Sequence, residues 1–134
     1  EIKKFVKNNN NSYYFKSLGQ QNFFSILKIV DAMIGNSSSG LAEVPSFQKA
    51  TINIGDRQKG RLKAASVIDC SPSGASIRSA IQLLYSDSFQ SQLMGVKNPY
   101  GEGGASLKIV NTLEKYSFSK FFSITEITNK YFMS

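Results

Sequence analysis

Two short stretches hold the residue types best suited to chemistry. The first is "GNSSSG", residues 35–40, three consecutive hydroxyl side chains between two glycines, with Glu43 close behind. The second is "GDRQKGR", residues 55–61, where Arg57 and Gln58 lie between Gly55 and Gly60, and Arg61 follows. Serine hydroxyls and unpaired backbone N–H groups bind anions where a chain enters a helix. Guanidinium forks match phosphate oxygens in pairs. Gly35 permits a sharp turn, and Gly40 lets the backbone come close to a ligand. A carboxylate such as Glu43 repels phosphate but accepts hydrogen bonds from sugar hydroxyls, as an acidic residue does for ribose in dinucleotide-binding folds. Together the loops suit a nucleotide. A plainer reading stays open: the serines cap a helix, Glu43 offsets its dipole, and the arginines face solvent.

Such loops need elements to hold them. Ile2, Phe5 and Val6 have a fragment of helical spacing that "NNNN" interrupts, and "YYF", 13–15, reads as a short strand. Phe23, Ile26, Leu27 and Val30 fall at i, i+3, i+4 and i+7, predicting a helix over 22–30. "AMI" reads as a buried strand ending at Gly35, and a short helix runs from about Ser38 toward Phe47, truncated by Pro45. "ATINI", 50–54, and "ASVID", 65–69, are further strands. The stretch "SPSGASIRSAIQLLYS" predicts a helix capped by Ser73, with Ile77, Ala80, Ile81 and Leu84 on one face. A Gly-rich loop, "GVKNPYGEGGAS", precedes a second helical pattern over 106–116. Short apolar strands alternating with helices predict an α/β fold, a parallel sheet flanked by helices. In such sheets ligands bind beyond the carboxyl ends of the strands, where both loops fall.

The chain has 134 residues, enough for one domain, with a net charge of +7 and no histidine. Its lysines are scattered rather than clustered, which suits a solvated basic surface or one anion site better than nucleic acid. Without histidine the chain lacks the commonest acid–base side chain near neutral pH. Asp56, Asp69, Asp87 and Glu102 form no evident catalytic pair. Cys70 is the single cysteine, so an internal disulfide and a multi-cysteine zinc site are excluded. No apolar run approaches the length of a membrane helix, and the start lacks Met and a signal-peptide segment. A cytoplasmic protein lacking some upstream strands is the expectation.

"GNSSSGLAEVPSFQKATINIGDRQKGR", with its internal spacing, resembles the signature of the hydrolysing UDP-N-acetylglucosamine 2-epimerases. The resemblance extends from "SLGQQNFFSILKIVDAMIGNSSSG" through "SVIDC" to "NPYGEGGASLKIVNTL", roughly residues 17–113. It implies a glycosyltransferase-B-like protein of two Rossmann-like domains, with 1–134 as the C-terminal, nucleotide-binding part. Ser37 and Ser38, with Ser39 and Gly40, would hold the diphosphate of UDP, and Glu43 the ribose hydroxyls. Arg57 would meet the phosphate and sugar end, with Gln58 and Arg61 as further candidate substrate or phosphate contacts. Phe23 would stack near the uracil and backbone groups at Leu18 would read its edge, although the spacing of Phe23 equally suits a core position.

The family's reaction eliminates UDP to give a 2-acetamidoglucal, then adds water with inversion at C2. It serves sialic-acid and related surface-sugar biosynthesis. The resemblance implies catalytic acid–base groups outside this chain, in a first domain that is its natural partner. No cofactor or metal is implied, and homo-oligomerisation is left open. A related epimerase acting on UDP-diacetylbacillosamine is the alternative; a basic nucleic-acid module fits the clustered aromatics less well. The aromatic tail, 117–134, is expected to contain a helix that either contacts the first domain or packs on its own.

Overall fold

The computed structural model describes residues 1–115, and the expectation for the tail lies outside them. The chain divides into two units, Glu1–Gly101 and a second that starts at Glu102. In the first, α1 (Ile2–Lys7) and α2 (Gly19–Leu27) precede β1 (Ala32–Gly35), α3 (Ser39–Ala42) and a 3-10 turn (Val44–Phe47). Then come β2 (Ala50–Ile54), β3 (Val67–Cys70), α4 (Gly74–Leu84) and α5 (Asp87–Leu93). The described part of the second unit holds α6 (Ala105–Lys115).

The strands form one parallel sheet in the order β1-β2-β3. Ala32 pairs with Ala50 and Gly35 with Asn53, while Thr51 pairs with Val67 and Ile54 with Cys70. The sheet is thus the Rossmann-like α/β arrangement that the alternating elements predict. Central β2 is buried at Ala50, Thr51, Ile52 and Asn53, as a strand covered on both faces must be. Side chains alternate across a strand. Ala50 and Ile52 join Ile68, Ala80, Leu84, Phe89 and Leu93 in one core, against which Ile54 also packs. This core fixes α4 and α5 to one side of the sheet.

Thr51 and Asn53 alternate with that set. Thr51 Oγ1 donates to the Gly40 carbonyl of α3 at 2.7 Å, and Asn53 Nδ2 donates to Asp69 Oδ1 of β3 at 2.7 Å. The polar residues of "ATINI" therefore fasten β2 to its neighbours instead of interrupting a core. Tyr85, at the end of α4, donates its hydroxyl to Asp31 Oδ2 at 3.0 Å, just ahead of β1. Helix α4 begins as expected, with Ser73 Oγ accepting from the Ser76 amide at 3.2 Å. Ala80 and Leu84 are buried, Ile77 is half-buried and Ile81 is exposed, so the apolar stripe is narrower than its spacing suggests.

Two expectations need correction, and one helix has no counterpart among them. "YYF" is not a strand: Tyr13, Tyr14 and Phe15 are exposed, and the sheet among the described residues has three strands. Aromatic β-propensity reflects packing on a sheet surface, which this segment lacks. Helix α2 starts at Gly19 and ends at Leu27, not over 22–30. Helix α5 was not foreseen, although Ser86 caps it by accepting from the Phe89 amide at 3.3 Å and Phe89 and Leu93 are buried. The helix predicted over 106–116 is present as α6, with Leu107, Ile109, Val110 and Leu113 exposed. No helix of the described residues is long and apolar enough to cross a membrane.

Candidate functional site

The two motifs of interest follow adjacent parallel strands at the same edge of the sheet. β1 ends at Gly35 and enters α3 through Asn36, Ser37 and Ser38, while β2 ends at Ile54 and runs directly into the loop over 55–66. That loop connects β2 to parallel β3 without a helix, which requires a chain that can turn tightly. Gly55 and Gly60 supply the turns at φ of +74° and +79°, left-handed conformations that other residues seldom adopt.

The loops meet at Asn36. Gln58 Nε2 donates to the Asn36 carbonyl at 2.7 Å, and Arg57 Nη1 reaches Asn36 Oδ1 at 3.5 Å. Arg57 and Arg61 are exposed, whereas Gln58 is only 2% exposed. Gln58 therefore lies beneath the loops and Arg57 on their surface. The Arg61 amide donates to the Gln58 carbonyl at 3.3 Å, closing the turn. Asn36 was not singled out in the sequence; an Asn following the strand-ending glycine, at a turn, was the available signal.

Within the serine loop, Ser37 Oγ accepts from the Ser39 amide at 3.4 Å. The amides of Leu41 and Ala42 bond the Ser38 carbonyl, at 3.0 and 2.9 Å. Ser38 is exposed and is the N-terminal cap by position, yet its side chain makes no capping bond. This turn contact engages the Ser37 hydroxyl and leaves that of Ser38 uncommitted. Helix α3 is four residues long, so its dipole adds little, and the positive charge beside the serines comes from Arg57.

Gly40 serves a different purpose from the one its position suggests. It is buried, and a Cβ added there would stand 2.6 Å from Thr51 Cγ2. The glycine lets α3 approach β2 closely, and its close neighbour is a side chain of the sheet. Glu43 ends α3, one turn after Ser39; it is half-buried, and its carboxylate has no ion-pair partner among the described residues.

Leu18 and Phe23 belong to α2 and its approach. Leu18 lines a groove of about 290 Å³ with Phe15, Ser17, Asn22, Ser25 and Ile26, and its carbonyl accepts from Asn22 Nδ2 at 3.0 Å. Phe23 is half-buried, its ring 5.9 Å from that of Phe24, which lies 5.5 Å from Phe47. The aromatic chain runs toward the turn after Glu43. No hydrogen bond joins Leu18 or Phe23 to either loop among the described residues.

A second concavity, of about 370 Å³, opens beyond β2 and β3, lined by Gly55, Asp56, Lys59, Gly60, Lys63, Asp69, Cys70 and Ser71. Lys63 Nζ bonds both carboxylate oxygens of Asp69, at 2.8 and 2.7 Å. Partial burial raises the Asp69 pKa, but the hydrogen bonds from Lys63 and Asn53, with the Lys63 charge, hold it below the ordinary value. Asp87 sits in the first turn of α5, where it suits the dipole. Neither carboxylate is placed as half of an acid–base pair.

Residues 1–114 match the family model described as UDP-N-acetylglucosamine 2-epimerase. The chain is similar to polysialic acid biosynthesis protein P7 of Escherichia coli, 39% identical over 88% of this chain and 32% of that protein. It is 54% identical to a Campylobacter jejuni GDP/UDP-N,N'-diacetylbacillosamine 2-epimerase (hydrolyzing), over 47% of the chain and 16% of the enzyme. A Neisseria meningitidis UDP-N-acetylglucosamine 2-epimerase is 35% identical over 51% of the chain and 18% of its own length. The chain thus spans about a third or less of the relatives it matches. On the match of 114 residues and the paired loops at the strand ends, the chain belongs to the UDP-N-acetylglucosamine 2-epimerase family.

Proposed function

We propose that this chain supplies the UDP-binding part of a hydrolysing 2-epimerase that acts on UDP-N-acetylglucosamine. The observation that carries the reading is the junction at Asn36, which sets an exposed guanidinium beside the serine loop. The diphosphate lies against the hydroxyls of Ser37, Ser38 and Ser39 and the Ser37 amide, in the loop that ends at Gly40, with Arg57 on its charge and Arg61 nearby. Glu43 accepts from the ribose hydroxyls. The groove at Leu18, with Phe23, takes the uracil.

In this reading the chain stabilises the departing diphosphate. Negative charge grows on the leaving oxygen as the bond to C1 breaks, and oriented hydroxyls and a guanidinium favour that change. Removal of the C2 proton and addition of water need acid–base groups outside these residues. We place those in a first domain of a glycosyltransferase-B-like enzyme in the cytoplasm. The similarity to a diacetylbacillosamine epimerase supports a second reading, a different UDP-amino sugar handled by the same UDP site.

Thermal unfolding with added ligand tests the proposal. UDP at low millimolar concentration should raise the melting temperature of the chain. Single-stranded DNA should do so only in a way that salt abolishes. The chain alone should release no N-acetylmannosamine from UDP-N-acetylglucosamine. Absence of a UDP effect, or turnover by the chain alone, contradicts the assignment.

A further inference from the structure

We infer that Gln58 is a positioning residue that turns the Ser37 amide outward to meet an anion; the inference rests on the proposed UDP site. Gln58 stands between two exposed arginines in sequence, yet its side chain is almost wholly buried. Its Nε2 donates at 2.7 Å to the Asn36 carbonyl, while its Oε1 is buried with no hydrogen-bond partner. An unpaired buried amide oxygen costs free energy, so the glutamine is an expensive way to fill this space.

The geometry of the peptide group says what the residue does there. The carbonyl of Asn36 and the N–H of Ser37 belong to one planar trans unit, and they point in opposite directions. A donor gripping the carbonyl from the buried side turns the N–H of Ser37 away from that side. That amide makes no hydrogen bond to another described residue, whereas the Gly40, Leu41 and Ala42 amides are all bonded within the loop and α3. Arg57 reaches the side chain of the same Asn36, so the outward amide and the guanidinium are set from one residue. A leucine would fill the space of Gln58 without gripping the carbonyl. A glutamate would oppose it when ionised and grip it when protonated, since only the acid form has a proton to donate.

The test is the binding of UDP and of pyrophosphate to the full chain by calorimetry, with melting temperatures recorded without ligand. Gln58→Leu should weaken both ligands by the same factor, about tenfold, because the amide faces phosphate rather than ribose. Gln58→Glu should bind poorly at pH 8. Its affinity relative to the unsubstituted chain should recover as pH falls toward the carboxyl pKa, which burial lifts above about 4.3. A purely structural role would lower the melting temperature without that recovery. Unchanged affinity in Gln58→Leu, or unequal losses for the two ligands, overturns the role of Gln58 alone. If Gln58→Leu does not fold, the pH profile of Gln58→Glu decides, and a flat ratio overturns the inference. Failure of the unsubstituted chain to bind UDP overturns the proposed function and this role with it.

Discussion

The carboxyl end of the sheet has two polar regions, and the one beyond β2 and β3 is the poorer candidate. Beyond β2 and β3 lies about 370 Å³ of space, but its Lys63 and Asp69 satisfy each other in a two-point ion pair. Beyond β1 and β2 the polar groups are oriented and only partly satisfied. Ser38 makes no capping bond, the Ser37 amide has no partner among the described residues, and Arg57 rests on Asn36 at 3.5 Å, the long limit of a hydrogen bond. A ligand gains most where fixed donors are not already spent on one another. Space alone therefore does not mark the better site in this sheet.

Replacing Arg57 sharpens the contrast most. Arg57→Ala should weaken UDP roughly 10- to 100-fold, the range for a charge-assisted hydrogen bond, and Arg57→Lys should recover only part of it. Calorimetry with UDP reads both, and unchanged affinity would remove Arg57 from the site. Glu43→Ala should weaken UDP by about tenfold through lost hydrogen bonds to ribose, while leaving pyrophosphate unaffected. Equal loss for both ligands would contradict that partner.

The smallest effect is expected at the other cavity. The depressed pKa of Asp69 means that its contribution to stability is complete above about pH 4, its unfolded value, and fades as pH falls through the lower folded value. Its side chain is 53% exposed, so solvent screening limits the contribution to less than about 1 kcal/mol. Thermal melts of Asp69→Asn should show a shallower loss between pH 5 and pH 3, with UDP affinity at pH 7 unaltered. A large loss of UDP affinity in this variant would break the distinction between the two regions.

The sequence was most legible where pattern and packing agree. β2 and α4 were apparent because the apolar positions of "ATINI" and the Ser73 cap with Ala80 and Leu84 describe the core and the helix start that form. Failures came where one signal had to stand for another. "YYF" has the composition of a strand without a sheet to pair with, and α5 has a cap and an i, i+4 pair in a stretch too polar to stand out. At the candidate site the loops and their placement beside each other were legible, because parallel strands put them at one edge. The junction was not. Gly40 looked like room for a ligand, and the room is used by Thr51. Gln58 reads in the sequence as a candidate substrate or phosphate contact beside its arginines, and its side chain is buried under Asn36. Both depend on residues distant in sequence.

A crystal of the chain grown with UDP tests the central claim directly. The diphosphate should lie within hydrogen-bond distance of the Ser37 amide and Ser38 hydroxyl, with the Arg57 guanidinium moved from Asn36 onto phosphate. A nucleotide bound instead between Lys59 and Ser71, or a serine loop left empty at saturating UDP, would contradict it.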